Sequence, residues 1–299
     1  MATDDIMNRR VSMTERVRQY LRARRATGLR LRIEGQQLLS FARFADARRS
    51  RGPLTTELSV RWAYASVRAG PVGRARRLEV IRPFARYLAA FDERTEIPAP
   101  GLLGPAHRRK APHIYTASEI TQLLRAAARL PPAGTLRRLT MQTFLGLLTC
   151  TGLRPAEAVR LCDADVDLRN AVLTIRQTKF QKSRLVPLHV STSRALQRYR
   201  ATRVPVRLNE AFFMLDGAIP LTLVKAERTF AALRQQLNWP IAGQRRPRLY
   251  DLRHTFACRR LISWCAQGVD VHHVIASLAT YLGHVKVSDT YWYLSATPE

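Results

Sequence analysis

The sequence predicts a mainly helical chain in two parts, an all-α N-terminal part and a mixed α/β part with a small β-sheet. Three observations predict it. Apolar residues recur at helical spacing from residue 12 to 91, with Gly and Pro at the joints. A stretch holding Pro98, Pro100, Pro105 and Pro112 with Gly101 and Gly104 then breaks that spacing and reads as an extended linker. Helical spacing resumes beyond it, interrupted by period-two alternation over 172–178 and again over 184–188. The expected boundaries are a helical domain over 1–97, a linker over 98–115 and a second domain over 116–299.

The elements follow in order. Ser12 and Glu15 stand at capping-box spacing before a helix that carries Val17, Tyr20 and Leu21 and ends at Gly28. A second helix spans about Leu31 to Arg48, and a third lies between Gly52-Pro53 and Gly70-Pro71. The fourth runs from about Val72 to Phe91, with Leu78, Ile81, Phe84, Ala85 and Leu88 as its apolar stripe. A four-helix bundle is the simplest way to bury these faces. After the linker, Thr116 and Glu119 again make a capping-box start, and Pro131-Pro132 stops that helix. A largely apolar helix then ends at Gly152, and Pro155 suits the first turn of the next. Two strands flank a basic turn from Lys179 to Ser183. Helices follow near Ser191–Arg203, Thr222–Leu237, Leu252–Gln267 and Val271–Leu282.

Charge narrows the partner. The 299 residues hold 50 Lys+Arg against 22 Asp+Glu, a formal net charge of +28. Such an excess draws a protein to polyanions, with nucleic acid the default. Arginine far outnumbers lysine, which favours bidentate phosphate contacts. Arg24, Arg25, Arg74, Arg76 and Arg77 on the bundle, and Arg108, Arg109 and Lys110 in the linker, are the candidate DNA contacts. The four cysteines form no CxxC pair and lie in apolar stretches, so free buried thiols are expected, as in a reducing cytoplasm. No apolar N-terminal region and no run of membrane-spanning length is present in the sequence.

Chemistry concentrates in the last fifty residues. Tyr250 stands three residues before Arg253, and His284 nine residues before Tyr293. Upstream, Arg154 opens a helix where backbone N–H groups also favour an anion, with Glu157 three residues on. Lys179 and Lys182 sit on the hairpin turn, and Arg184 follows it. Two arginines, a lysine, a histidine and a late tyrosine suit phosphoryl transfer without metal. Blander roles exist for each: a surface arginine, a capping glutamate, a phosphate-gripping lysine, an aromatic core cluster. His254 follows Arg253 by a quarter-turn and reads as structural.

These motifs together resemble the tyrosine recombinases, the phage integrases and Xer-like recombinases. TGLRPAE matches their first arginine box, YDLRHTFA the second, and YLGH followed by Tyr293 the last. The match is close over Thr116–Tyr293, while the N-terminal part agrees only in architecture. The resemblance implies an α-helical core-binding domain and a tyrosine-recombinase catalytic domain that clamp duplex DNA. It implies that Tyr293 attacks the scissile phosphate to give a 3′-phosphotyrosine. Arg154, Arg253 and His284 hold the phosphate, Glu157 orients them, and the phenol is acidified by the arginines. Lys179, with Lys182 as its rival, protonates the 5′ leaving oxygen, and Lys182 and Arg184 otherwise contact DNA. Spacing selects Tyr293 over Tyr291 and Tyr281.

Two departures stand out. Tyr250 occupies the position of the family's first box-II histidine and can donate to a phosphate but not act as a near-neutral acid or base. Six residues follow Tyr293, where family members usually carry a further helix that docks on a neighbour; either the chain is short or that segment is cut off. The resemblance further implies no cofactor, double-stranded DNA as partner, a homotetramer on paired sites, accessory recombinases, no membrane, and a cytoplasmic, nucleoid-associated location. A type IB topoisomerase and a non-catalytic DNA-binding protein on the same fold are the alternatives.

Overall fold

The computed structural model describes residues 11–50, 52–106, 111–176, 183–203, 205, 207, 210–239 and 246–294. The chain divides into two compact units, Met1–Arg109 and Lys110–Glu299.

In the first unit, α1 (Met13–Ala26), α2 (Arg32–Ala47), α3 (Thr56–Tyr64) and α4 (Pro71–Ala89) pack as a bundle. Ser12 Oγ accepts from the Glu15 amide and opens α1. The Asp46 carboxylate accepts from the Met13 amide at 2.7 Å and the Thr14 amide at 3.1 Å, which ties the end of α2 to the start of α1. Leu38, Phe41, Trp62, Ile81 and Phe84 fill the core, with Phe41 edge-on to Trp62 at 5.5 Å. The proline-rich stretch lies along this bundle as far as Ala106. Arg82 Nε donates to the Pro98 carbonyl at 3.0 Å, and Arg76 Nε donates to the Ala106 carbonyl at 2.9 Å.

The second unit opens on Tyr115, which is buried and donates its hydroxyl to the Arg248 carbonyl at 2.9 Å. Its helices are α5 (Ala117–Ala128), α6 (Leu136–Thr151), α7 (Pro155–Ala158), α8 (Val190–Thr202), α9 (Leu223–Leu237), α10 (Asp251–Ala266), α11 (Val271–Leu282) and α12 (Ser288–Tyr291). Thr116 and Glu119 close a reciprocal capping box on α5. Strands β1 (Val166–Asp167), β2 (Val172–Ile175) and β3 (Arg184–Pro187) form an antiparallel sheet in that order. Ile175 pairs with Arg184 at the mouth of the hairpin. A second pair, β4 (Met214–Leu215) with β5 (Ile219–Pro220), was not legible from the sequence, nor was β1. Two residues are too few to show alternation.

The main core gathers Met141, Phe144, Tyr199, Phe212 and Phe213 around α6. A smaller cluster of Ala257, Cys258, Leu261, Leu278 and Leu282 joins α10 to α11 and takes in Tyr293. All four cysteines are free, but only Cys258 is buried; Cys150 and Cys265 are exposed, contrary to expectation. Both lie on the solvent side of helices whose opposite faces carry the core. Among the described residues no helix is long and apolar enough to cross a membrane.

Candidate active site

Three backbone turns bring the site together. At the first, α6 ends on Gly152 in the left-handed region at φ +61°, where a Cβ would overlap the Phe256 ring. Arg154 follows and caps α7, with Pro155 as its first residue. At the second, α10 begins after Tyr250, and the spacing 250, 253, 254 sets Tyr250, Arg253 and His254 on one helix face. At the third, α11 ends on Gly283 at φ +69°, which leads into His284 and the short helix before Tyr293.

Arg253 is 1% exposed. Its Nη1 donates to the Gly152 carbonyl at 2.9 Å and its Nη2 to the Leu282 carbonyl at 2.7 Å. The same Nη2 lies 2.9 Å from His284 Nε2. One guanidinium thus joins all three turns. Arg154 is the more accessible arginine, its side chain 24% exposed. It donates to Glu157 Oε1 at 2.7 Å and to the Gly283 carbonyl at 3.3 Å.

Glu157 is the buried anion of the site. Burial alone would raise its carboxyl, but Arg184 and then Arg154 hold it down to about 2. Arg184 grips it twice, Nη1 to Oε1 at 3.2 Å and Nη2 to Oε2 at 2.8 Å, and donates Nε to the Tyr281 carbonyl at 2.8 Å. Arg184 thus faces Glu157 and the end of α11. Its side chain is 11% exposed, and it braces the arginine turn against the end of α11. A Cβ on Gly283 would meet Arg184 Nη1 at 2.8 Å, so glycine is required there for packing as well as for φ.

Tyr293 is 2% exposed. Its ring stacks on His284 at 5.9 Å and 17° and meets His254 at 5.4 Å. The phenol is not acidified here: burial raises its pKa and outweighs the nearby Arg253. His284 is pushed down to about 4 by burial, with the Arg253 and Arg154 charges adding to it, so it is neutral at pH 7. Tyr250 is 38% exposed and packs edge-on to His254 at 5.4 Å. His254 therefore lies between two tyrosines of the site, a place its quarter-turn offset from Arg253 does not suggest.

The structure thus gathers Arg154, Glu157, Tyr250, Arg253, His284 and Tyr293. It adds His254, Arg184 and Thr290, whose hydroxyl contacts His284. Only the spacing of Tyr250 and His254, four apart on a helix, could have signalled any of these three. Lys179, Lys182, Arg108, Arg109 and Lys110 lie outside the described residues. In the first unit Arg24 and Arg25 are exposed on α1. Arg76 is exposed, while Arg74 lies over the Tyr64 ring at 4.6 Å. Arg77 is half-buried, stacked 3.8 Å over Trp62 and donating to the Trp62 carbonyl at 2.8 Å. That contact ties Arg77 into the packing of the bundle.

Residues 114–299 match the model of the phage integrase family. The integrase/recombinase y4rB of Sinorhizobium fredii is 42% identical over 95% of this chain and 92% of its own length. Tyrosine recombinase XerD of Xanthomonas campestris pv. campestris is 32% identical over 78% of this chain and 70% of its own. The fold is similar to that of the Tn1549 transposon integrase in complex with transposon right end DNA, with a TM-score of 0.69 and 17% identity over 95% of this chain and 94% of that one. The chain belongs to the phage integrase family of tyrosine recombinases.

Proposed function

We propose that this protein is a site-specific DNA recombinase of integrase or transposase type that cuts and rejoins DNA through Tyr293. The observation that carries the reading is the set of contacts that brings Arg154, Arg253, His284 and Tyr293 together at the Gly283 turn, with Tyr250 linked to Tyr293 through the His254 ring. Tyr293 Oη attacks the scissile phosphorus, forming the 3′-phosphotyrosine bond as the bond to the 5′ oxygen breaks. Arg154, Arg253 and Tyr250 donate to the nonbridging oxygens as charge builds. His284 joins them once its Nε2 carries a proton. Lys179, or its rival Lys182, protonates the 5′ oxygen. A 5′ hydroxyl from a partner duplex then reverses the step, so the bond energy is kept in the phosphotyrosine and neither ATP nor metal is consumed.

The arrangement described here is a resting one. Tyr293 is buried, and the Nη donors of Arg253 are held by protein acceptors. In this reading phosphate takes up the remaining Arg253 N–H groups or displaces its acceptors, and the tyrosine segment moves to reach the DNA backbone. Duplex DNA is the partner, bound by the helical first unit and the catalytic second unit, and a homotetramer assembles on paired sites. Accessory recombinases and a cytoplasmic, nucleoid-associated location complete the proposal. A nicked suicide substrate tests it, because the cut 5′ fragment diffuses away and traps the intermediate. A protein–DNA adduct that survives denaturation, is lost to protease and forms in EDTA is expected. Binding without any adduct would replace this reading with that of a non-catalytic DNA-binding protein.

A further inference from the structure

We propose that Thr290 is a positioning residue that selects the tautomer of His284 and so couples the nucleophile segment to phosphate binding. The starting point is a pair of short contacts. His284 Nδ1 lies 2.7 Å from Thr290 Oγ1, and His284 Nε2 lies 2.9 Å from Arg253 Nη2. A guanidinium offers only donors. Nε2 must therefore present its lone pair to Arg253, and the ring proton must sit on Nδ1. Thr290 Oγ1 then accepts that proton's hydrogen bond.

In this state His284 cannot donate to a phosphate from Nε2. To do so as a neutral ring it must carry the proton on Nε2 and leave a lone pair on Nδ1. That lone pair is buried and requires a donor. A carbonyl or carboxylate at position 290 would lock the ring in the first tautomer, and an aliphatic side chain would satisfy neither. A hydroxyl satisfies both, because it accepts in one rotation and donates in the other. The exchange moves one proton off Nδ1 and one onto Nε2 with water as carrier, and the net charge of the ring is unchanged.

Thr290 also rides on the element that carries the nucleophile. It is fully buried in α12, and its carbonyl accepts from the Tyr293 amide at 3.0 Å. Any movement that frees Tyr293 must therefore alter the Thr290–His284 contact. The charged groups around His284 are Arg253, Arg154, Arg184 and Asp289; the arginines favour a neutral ring, so the switch is between two neutral forms. A buried Tyr293 thus goes with a His284 that accepts, and an engaged Tyr293 with a His284 that donates.

The inference rests on the proposed reading that His284 meets the scissile phosphate. Its first test does not require activity. In protein labelled with 15N at histidine, long-range 1H–15N spectra should show His284 as the Nδ1–H tautomer in the free chain. In a DNA complex of the non-cleaving Tyr293→Phe protein the signal should change to the Nε2–H tautomer. Thr290→Val should bind DNA within about twofold of the parent and form adduct about tenfold more slowly, the value of one hydrogen bond. Thr290→Ser should restore the rate, which a loss of packing would not allow. An Nε2–H tautomer in the free protein, or a Thr290→Val protein that cuts at the parental rate, would overturn the proposal. Should Thr290→Val not fold, the tautomers of the parent and of Thr290→Ser decide. Absence of adduct in the parent counts against the recombinase reading instead, and the free-protein tautomer still judges Thr290.

Discussion

Arg24 and Arg25 on α1 stand open to solvent, whereas Arg253 in the second unit is 1% exposed and bonded to two carbonyls and a histidine. The two sets carry the same charge and do different things. A solvated guanidinium adds to the field that attracts DNA, and its own position matters little. A buried one is costly to desolvate and persists only where acceptors are arranged around it. The abundance of arginine in the sequence therefore mixes two populations, and only the surroundings of each residue separate them. Arg184, gripped by Glu157, belongs with the paired set, and Arg77, half-buried over Trp62, stands between the two.

The largest expected effect belongs to the exposed population. With roughly six to ten phosphates neutralised, DNA affinity should fall by about 10³–10⁵ between 50 and 200 mM salt. A nearly flat salt response in a binding titration would mean that the surface charge does not meet the backbone. For the buried population, Glu157→Ala should lower unfolding stability by about 3–5 kcal/mol, because it strands Arg184 and loosens Arg154. Chemical denaturation reads this directly. A change under about 0.5 kcal/mol, typical of a surface site, would place Glu157 with the solvated groups. Tyr250→Phe is expected to slow adduct formation by a few-fold to about a hundredfold, the worth of one phosphate hydrogen bond. Total loss would give this tyrosine a proton-transfer role.

Helix ends were the most legible part of the fold. The Thr116–Glu119 box, Gly152, Pro155 and Gly283 all mark chain reversals by local chemistry, and the structure uses each in that way. Site residues that match a motif were also readable, because spacing sets them on particular turns. Residues that act through burial were not. Arg184 looks like one more basic residue after a hairpin until Glu157 is seen beneath it. Thr290 has no motif of its own, and its importance comes from a 2.7 Å contact across six residues. The acidity expected for Tyr293 beside bound phosphate is not that of the free chain, where burial outweighs the arginine charge and raises the phenol.

A smaller effect concerns pH. His284 is held at about 4 in the folded chain against an ordinary value of 6.5. Between those values the unfolded chain binds a proton that the folded chain refuses, so this residue lowers stability as pH falls through the window and contributes no slope above it. His284→Gln should flatten the decline of the thermal midpoint over that range. An unchanged slope would show that other groups carry it.

The central claim is that Tyr293, buried among His284, His254 and Arg253, is the nucleophile of this network. Adduct trapped on a nicked substrate can be digested and the DNA-linked peptide sequenced by mass spectrometry. The modified residue should be Tyr293, Tyr293→Phe should bind DNA and give no adduct, and Tyr291→Phe should still give one. A DNA-linked peptide carrying Tyr291 or Tyr281, or an adduct that persists in Tyr293→Phe, would contradict the account.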